Sequence, residues 1–271
     1  MKNMKKLSVI LITAMLLILS ACGTEKSDQG EKGTTSSGSN NGLVKEGSFT
    51  FAMTGQYLPL NFLKDGELTG FDVEIGTEIA KRMGLEANPV TNPWETMIQG
   101  LKANKYDAII GSMTATPERD KQIDFTEPYY LSGAQIFVAD NNTDIQSKED
   151  LKGKTIGVIQ ASTWKSIAES LTSSDKVKGY PVDVNALQDL TLGRLDAVIT
   201  DKIVGLSAKN EKGLKIKAIG DLLSEDRVSI GITEGNTELA NKINEALQSM
   251  IDDGTYEDIS MKWFNTNIME R

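Results

Sequence analysis

The sequence predicts an α/β protein whose folded part forms one large domain or two lobes. Three observations support this prediction: strand patterns alternate with helix patterns, one helix–turn–strand pattern occurs twice, and about 225 residues follow a polar N-terminal stretch. A segment of that length supports one large domain or two lobes of ordinary size. Strands that alternate with helices form mainly parallel sheets flanked by helices.

The predicted elements follow one another along both halves of this folded part. Ser48–Met53 and Asp107–Gly111 are typical of buried strands, and apolar residues at helical spacing predict helices over Phe71–Arg82 and Trp94–Ala103. Gly84 follows the first helix, as expected of a helix end. The second half repeats the alternation, and its predicted elements are strands Thr155–Ile159 and Ala197–Thr200 and helices Trp164–Leu171, Val184–Leu192 and Lys202–Lys209.

One pattern occurs twice, at an offset of 89 residues. Leu101–Ile110 and Leu190–Ile199 share a leucine, a basic residue, Asp-Ala and two branched aliphatic residues at matching positions. Each copy is typical of the end of a helix, a turn and a buried strand. The repeat has two interpretations, because units of this kind share composition in general, or because the chain holds two lobes of similar build.

Residues 1–21 have the features of a secretory signal peptide. Three lysines precede an apolar run from Leu7 to Leu19, and small residues precede Cys22. As a helix this run spans roughly 20 Å, which is less than the ~30 Å hydrocarbon core, so we do not expect a permanent membrane helix.

Cys22 is the only cysteine of the chain, so it cannot form an internal disulfide. The small residues before it resemble the lipobox of bacterial lipoproteins, which implies that the Cys22 thiol is diacylated. Two acyl chains hold a protein at a bilayer where one chain is marginal. An ordinary signal peptide with a chance cysteine is the alternative. The resemblance predicts a protein anchored by lipid on the outer face of the cell membrane.

Residues 22–42 form a predicted flexible tether between the anchor and the folded part. From Gly23 to Gly42 the chain has no aromatic or branched aliphatic residue, so it cannot bury enough apolar surface to offset its ordering entropy. Its root-mean-square reach is roughly 25 Å. The folded part then begins near Leu43.

Composition excludes several classes of function. The formal charge is −9, and removal of residues 1–21, which hold three lysines and no acid, takes it to −12. An acidic chain is not expected to bind nucleic acid. Because the sequence has no histidine, it has neither a histidine-based catalytic triad nor a histidine-ligated metal site. We expect no cofactor and no metal.

Polar residues follow the two repeated strands. In open α/β sheets, ligands bind beyond the carboxyl ends of the strands. Ser112, Thr114 and Arg119 follow the first repeated strand, and Thr200 and Asp201 end the second. One lobe therefore offers a cation with hydroxyl groups and the other offers an anion, which are the groups that a zwitterionic amino acid requires.

Arg119 can hold a carboxylate through two parallel hydrogen bonds of its guanidinium. Thr116 and Pro117 precede it like the N-cap and first residue of a helix, whose positive end also favours an anion. A solvated surface arginine is the alternative. Asp201 can accept an ammonium group, or can serve as the N-cap of the helix that begins at Lys202, or both.

Three further residues are candidates for the same cleft. Ser162 lies between a predicted strand and a predicted helix, where it would act as an N-cap and direct backbone donors to the cleft. Tyr57 and Trp94 each follow a strand and could form an aromatic wall against a ligand. Either aromatic residue could instead pack in the core.

Several motifs resemble the family 3 extracellular solute-binding proteins, which serve ATP-driven importers of polar amino acids. Gly66–Glu74 is similar to the family signature G-x-L-x-G-F-D-x-[DE], and Asp124–Tyr130 is similar to D-F-[ST]-x-P-Y-Y. The resemblance covers residues 45–266 with the motifs in order, and its other parts are Leu101–Ile110, Ser112–Arg119, Gly193–Asp201 and Lys262–Phe264.

This resemblance implies a role for each candidate residue. Arg119 is similar to the arginine that binds the ligand α-carboxylate, with Ser112 and Thr114 as helpers. Ser162 and Thr163 are similar to a loop that donates to that carboxylate from the second lobe, and Asp201 to the acid that takes the α-ammonium. Tyr57 and Trp94 occupy the positions of aromatic or apolar walls.

The resemblance also implies two α/β lobes of the periplasmic-binding-protein type, joined by two crossing strands. The crossings are expected at Ala134–Ala139 and Val228–Thr233. Lobe 1 would then comprise residues 43–135 and 231–271, and lobe 2 residues 136–230.

One departure from the family bears on selectivity. In relatives that bind basic amino acids, a carboxylate often lies three residues before the position of Tyr57, and here that residue is Thr54. We therefore expect a neutral or polar amino acid as ligand, unless another acid such as Asp72 or Glu127 reaches the pocket.

The resulting prediction is a binding protein and not an enzyme. It would capture a free L-amino acid between two closing lobes and deliver it, as a monomer, to the permease of an ABC importer. The alternative is an enzyme on the same scaffold, such as a cyclohexadienyl dehydratase, which requires a general acid over the substrate ring.

Overall fold

The computed structural model of the protein describes residues 43–210 and 212–269. The predicted signal peptide, Cys22 and the tether lie outside the described residues. Two five-stranded sheets and one small three-stranded sheet form the β structure of the described part. No helix among these residues has the length and apolar character needed to cross a bilayer.

The described residues contain thirteen strands and seven α-helices. The strands are β1 Ser48–Met53, β2 Gln56–Tyr57, β3 Asn61–Lys64, β4 Glu67–Thr69, β5 Glu86–Thr91, β6 Ala108–Thr114, β7 Asp124–Ser132, β8 Ala134–Ala139, β9 Ile156–Ile159, β10 Val177–Tyr180, β11 Ala197–Asp201, β12 Ile216–Ile219 and β13 Asp226–Ile232. The helices are α1 Phe71–Arg82, α2 Met97–Lys102, α3 Thr163–Leu171, α4 Asp183–Thr191, α5 Lys202–Asn210, α6 Thr237–Asp252 and α7 Thr255–Phe264.

Local sequence patterns placed nine of these twenty elements. Helix α1 has the predicted bounds, and its buried face includes Phe71, Ile75 and Ile79, spaced three to four residues apart. The helix predicted over Trp94–Ala103 is shorter, because Trp94–Thr96 forms a 3₁₀ turn before α2.

The two large sheets have the same plan, and each belongs to one lobe. In lobe 1 the order is β5-β1-β6-β13-β7, and in lobe 2 it is β10-β9-β11-β8-β12. The first three strands of each sheet are parallel neighbours, whereas the fourth strand pairs antiparallel with both of its neighbours. The sheets are therefore mixed rather than mainly parallel in their pairing. The reason is topological, because β8 and β13 enter their sheets from the other lobe.

The predicted crossings differ from the observed ones. Strand β8 pairs along its length in the sheet of lobe 2, and β13 pairs in that of lobe 1. The chain crosses at Gly133, and it returns between β12 and β13, so residues 226–230 lie in the sheet of lobe 1. A hydrophobic strand pattern does not reveal which of two sheets a strand joins, so sequence reasoning misplaced both crossings by a few residues.

Gly133 lies where the two crossing segments touch. A Cβ atom at this position would lie 2.1 Å from the carbonyl oxygen of Ser224, so the close approach requires glycine. The Ala134 N–H donates to the Ser224 hydroxyl at 3.1 Å, and the Leu223 N–H donates to the Ala134 carbonyl at 2.8 Å. These bonds hold the two crossings side by side.

The repeated sequence pattern has the same structure in both lobes. Asp107 precedes β6, and its carboxylate accepts the N–H of Thr50 in the neighbouring strand β1 at 2.7 Å. Asp196 precedes β11 and accepts the N–H of Thr155, just before β9, at 2.7 Å. Each aspartate thus ties the start of its strand to the parallel strand beside it. Of the two interpretations of the repeat, the structure supports lobes of similar build.

Candidate functional site

A cleft between the lobes lies at the carboxyl ends of the parallel strands. It contains about 520 Å³ of free space, part of it open to solvent. Most of the lining residues lie in the last residues of strands β6 and β9 or shortly after the ends of β1, β5, β6, β9 and β10, as the strand-end rule predicts. They are Thr54, Gln56, Tyr57, Trp94, Gly111, Ser112, Thr114 and Arg119 from lobe 1, and Ile159, Ser162, Thr163, Trp164, Pro181, Val182 and Asp183 from lobe 2.

Eight of the nine residues predicted from the sequence line this cleft. Two of them, Ser162 and Thr163, come from lobe 2. The other six come from lobe 1 and are Thr54, Tyr57, Trp94, Ser112, Thr114 and Arg119. The ninth, Asp201, lies behind the lining and is 2% exposed. Their roles toward a ligand stay predictions.

Arg119 lies half-buried at the cleft. Its Nη1 donates to the Thr114 carbonyl at 2.8 Å, and its Nη2 reaches the Ala161 carbonyl of lobe 2 at 3.5 Å. The guanidinium carbon lies 5.3 Å from the centre of the Trp94 ring, in cation–π contact. Burial lowers the pKa of Arg119 to about 10, although the charge of Asp226 opposes this shift. Within the described residues no acid is at ion-pair distance, so the guanidinium remains available to an anion.

The helix predicted to start at Thr116 is wrong. The segment forms two consecutive turns. The Thr116 carbonyl accepts the N–H groups of Arg119 and Asp120, and the Arg119 carbonyl accepts those of Gln122 and Ile123. The Thr116 hydroxyl accepts the Arg119 N–H at 3.2 Å, as an N-cap would. The hydrogen bond of an N-cap is therefore present, but no helix follows it, because the chain enters strand β7 at Asp124. A helix dipole therefore does not contribute at Arg119.

Helix α3 supplies the positive helix end instead. Ser162 occupies its N-cap position, yet its hydroxyl donates to the Ile159 carbonyl at 2.7 Å and does not cap the helix. Thr163 and Trp164 begin the helix and line the cleft. The first N–H groups of a helix have no intrahelical acceptor and attract anions. Ala161, before Ser162, has a left-handed φ of 57°, which directs its carbonyl toward Arg119.

Ser112 is held at the cleft by a buried hydrogen-bond network. Its φ of 61° is left-handed and strained for a serine. Its hydroxyl donates to Asp72 Oδ2 at 2.9 Å, and its N–H donates to the Tyr129 hydroxyl at 3.0 Å. The Tyr129 hydroxyl donates to Asp72 Oδ1 at 2.8 Å. Asn61 completes the network, since its amide donates to Asp72 Oδ2 at 2.6 Å.

Asn61 connects the same network to the loop after β1. Its Oδ1 accepts the Thr54 hydroxyl and the Gly55 N–H, each at 3.0 Å. Asp72, which is fully buried in lobe 1, thereby supports both Ser112 and Thr54 without lining the cleft itself. Burial raises the pKa of Asp72 to about 6, against the lowering effect of its three donors.

Asp201 has the N-cap bond that its position suggested. Its Oδ1 accepts the Ile203 N–H at 2.7 Å and the Ser132 hydroxyl at 2.8 Å. Burial raises the pKa of this carboxyl to about 7. Ser132 ends β7 next to the crossing at Gly133, so Asp201 joins strands of the two lobes.

Asp183 is the charged residue among the cleft residues that sequence reasoning missed. It is the first residue of α4, is 5% exposed and lines the cleft. The Thr200 hydroxyl donates to its Oδ1. Burial raises the pKa of this carboxyl to about 6. The strand-end rule would have found it after β10, but the short strand Val177–Tyr180 has no pattern that predicted it.

The charges of Asp201 and Asp183 both reach Tyr57, which faces them from lobe 1. Burial, followed by these two charges, raises the pKa of the Tyr57 phenol. The described residues contain no cluster of histidine, cysteine or acidic side chains arranged to hold a metal ion. The chemistry of the cleft is therefore that of a guanidinium, helix N–H groups, hydroxyls and carboxylates.

Two bacterial proteins are similar to this chain along most of its length. The probable amino-acid-binding protein YxeM of Bacillus subtilis (strain 168) is 32% identical over 270 residues, which cover 98% of this chain and 97% of that protein. The L-cystine-binding protein TcyJ of Escherichia coli (strain K12) is 31% identical over 230 residues, which cover 84% of this chain and 86% of that protein.

Solved structures with the same fold include binding proteins. An ancestral arginine-binding protein bound to glutamine has a TM-score of 0.76 and 37% identity, over 81% of this chain and 99% of that chain. An ancestral amino acid-binding protein that is a precursor of cyclohexadienyl dehydratase has a TM-score of 0.75 and 31% identity, over 80% of this chain and 96% of that chain.

The family assignment agrees with the motifs and with this architecture. Residues 49–266 match the bacterial extracellular solute-binding proteins, family 3. The match spans both lobes and includes every cleft residue described above. The chain belongs to the bacterial extracellular solute-binding proteins, family 3.

Proposed function

We propose that this protein captures a free L-amino acid in the cleft and delivers it to the permease of an ABC importer. The observation that carries the proposal is the Arg119 guanidinium, which is half-buried at the cleft, has no acidic partner among the described residues and lies opposite the N-terminus of α3. A partly buried guanidinium without an ion-pair partner is costly, and an α-carboxylate supplies that partner with the right bidentate geometry.

The remaining groups fit the rest of an amino acid. Carboxylates of lobe 2, with Asp201 as the acceptor implied by the family resemblance, would take the α-ammonium. Tyr57 and Trp94 would cover the ligand from lobe 1. An amino acid bound in this way contacts both lobes, so it favours the closed arrangement by its higher affinity for that arrangement.

Closure would strengthen the binding and signal the loaded state. The lobes already meet across the cleft, since Arg119 reaches Ala161 and the Trp164 indole N–H donates to Asp226 at 3.2 Å. As the lobes close, water leaves and the charge pairs act in a lower effective dielectric. The permease would then recognise the closed form.

The site of action follows from the N-terminal residues and the family. A secretory signal in residues 1–21 and diacylation of Cys22 would anchor the protein on the outer face of the cell membrane, with residues 22–42 as tether. We expect a monomer there, because each lobe contributes to one cleft and no second copy is needed to complete it.

Arg119→Ala tests the proposal directly. A thermal-shift screen of the twenty amino acids, cystine and ornithine first identifies the ligand, since binding at a hundredfold excess over Kd raises stability by about 2.7 kcal/mol. In calorimetric titration we expect Arg119→Ala to lose roughly 2–5 kcal/mol of binding free energy, because the ligand carboxylate is left unpaired. Arg227→Ala is the control, since that side chain is exposed on lobe 1. Near wild-type affinity of Arg119→Ala would refute the assignment.

An enzyme on the same scaffold is the second candidate. Asp183 favours it, because an acid in the cleft with a pKa of about 6 is suited to proton transfer near neutral pH. We nevertheless favour binding, because the cleft pairs a guanidinium with helix N–H groups and suits α-amino acid capture. Incubation of the purified protein with prephenate distinguishes the two functions. We expect the prephenate to be recovered unchanged, and its turnover would favour the enzyme over the binding protein.

A further inference from the structure

The charged groups of the cleft do not match a neutral amino acid. Among the described residues that line it, Arg119 carries the positive charge and Asp183 the negative charge, while Asp201 lies immediately behind the lining. Both carboxylates are close enough to Tyr57 to act on its phenol. Asp226, whose charge acts on both Arg119 and Asp201, adds a further anion near the space. A ligand with one carboxylate and one ammonium therefore leaves at least one anion without a cationic partner.

Asp183 is the cleft carboxylate that has no cationic partner among the described residues. Within the described part of the chain, Thr200 is the side chain that donates to it, and no lysine or arginine lies within ion-pair distance. A buried carboxylate normally has several donors or a cation. Asp201, in contrast, has two donors on Oδ1 and is tied into the crossing and into α5.

The position of Asp183 at the start of α4 does not account for its burial. The positive end of a helix stabilises a carboxylate by only about 0.3–1 kcal/mol at a typical site. The pKa of Asp183 is still raised to about 6, because the helix end and Thr200 do not offset the loss of water around the charge. Asp201, the buried carboxylate at the start of α5, does not line the cleft, whereas Asp183 is enclosed and borders the ligand space.

We infer that Asp183 binds a cationic nitrogen of the ligand side chain, so that the preferred ligands are amino acids with an ammonium or guanidinium group at the end of the side chain. This inference rests on the proposed function, and it changes the selectivity expected from Thr54. The absence of an acid at Thr54 removes a partner from lobe 1 only. Asp183 supplies that partner from lobe 2, across the same cleft.

A calorimetric titration with matched ligands tests the inference. Arginine is paired with citrulline, lysine with norleucine and ornithine with norvaline, so that each pair differs mainly in the charge of the side chain. In the wild-type protein we expect at least one cationic ligand to bind about 10- to 100-fold more tightly than its neutral counterpart, which is the range for a hydrogen bond between charged groups. Asp183→Asn should abolish this preference.

Two controls keep the result interpretable. The first is Asp189→Asn. Asp189 lies on the same helix and pairs with Arg194 and Tyr180 away from the cleft, so this variant should keep the wild-type preference for cationic ligands. Thermal unfolding of Asp183→Asn establishes that the variant is folded before it is titrated.

The outcomes separate this inference from the function on which it rests. Equal binding of cationic and neutral ligands by the wild type, or an Asp183→Asn variant that keeps the preference or weakens all ligands alike, overturns the inference and leaves amino acid capture intact. If none of these ligands nor any of the twenty amino acids binds the wild type, the proposed function fails, and the inference fails with it.

Discussion

Asp72 in lobe 1 and Asp183 in lobe 2 are both buried but have different numbers of hydrogen-bond donors. Burial raises the pKa of each carboxyl to about 6. Three side chains donate to Asp72, and they are Asn61, Ser112 and Tyr129. One side chain, Thr200, donates to Asp183. Asp72 lies behind the cleft wall, whereas Asp183 forms part of it.

The difference shows that a perturbed pKa alone does not identify a ligand-binding group. Asp72 uses its acceptor sites to hold Ser112 in its strained conformation and to hold Asn61, which in turn supports Thr54. Its role is to position the cleft residues of lobe 1. Asp183 lines the cleft and can still accept further hydrogen bonds there. The number of donors, together with access to the cleft, separates a structural carboxylate from a recognition carboxylate.

Asp72→Asn should have the largest effect on stability. The amide would present its NH₂ group to at least one donor, so a buried hydrogen bond is lost and Ser112 loses its support. We expect the free energy of unfolding in urea to fall by about 2–4 kcal/mol. Asp65→Asn is the control, because Asp65 is exposed in a turn with a φ of 54° that asparagine adopts readily. Equal stability of both variants would show that the network is dispensable.

Asp183→Asn should change the pH dependence of stability instead. The folded pKa of about 6 exceeds the ordinary value of 3.8, so the empty folded protein binds this proton more tightly than the unfolded chain does. The contribution of Asp183 to stability is therefore greatest at pH 4 and falls as pH rises through 6. We expect the variant to gain about 1–3 kcal/mol relative to wild type between pH 4 and pH 7.5 in urea unfolding.

Asp189→Asn provides a control of opposite sign for that measurement. Hydrogen bonds from Tyr180 and Arg194 lower the pKa of Asp189, so its stabilising effect is present above the unfolded pKa and is lost in acid. This variant should lose stability relative to wild type as pH rises through the acid range up to about 4, and should change little from pH 4 to pH 7.5, because Asp189 is then ionised in both the folded and the unfolded state. If both variants change in the same direction, Asp183 is not desolvated as the structure indicates.

Ser132→Ala should have the smallest effect. It removes one of the two donors to Asp201 and leaves the Ile203 N–H in place. We expect a loss of about 0.5–1.5 kcal/mol in unfolding free energy. The pKa of Asp201, already raised to about 7, should rise further, because the Ser132 hydrogen bond lowers it. A carboxyl-carbon NMR titration measures this shift, and an unchanged or lower pKa would contradict the assigned contact.

Sequence reasoning succeeded where the signal is local. The periodic apolar residues of Phe71–Arg82 define α1, because one face of a helix must be buried every three to four residues. The rule that ligands lie beyond strand ends found Ser112, Thr114 and Arg119, since these residues directly follow a predicted strand. The same rule missed Asp183, because β10 has only four residues and little apolar character.

It failed where the outcome depends on contacts that are distant along the chain. Thr116 has the features of an N-cap, but the segment after it turns into β7 and forms no helix. The antiparallel insertion of β8 and β13 depends on the direction from which each crossing enters its sheet. Neither property is encoded in the residues of the segment itself.

The sequence by itself determined the α/β class, the duplicated helix–turn–strand unit, the family and most of the residues that line the cleft, because each of these depends on short-range patterns and on strand ends. The tertiary structure alone decided which carboxylates are paired. Asp72, Asp183 and Asp201 look alike in sequence, and their partners lie 2 to 69 residues away. Since desolvation and hydrogen bonding depend on the atoms that surround a carboxylate in space, only the folded chain separates a support from a recognition group.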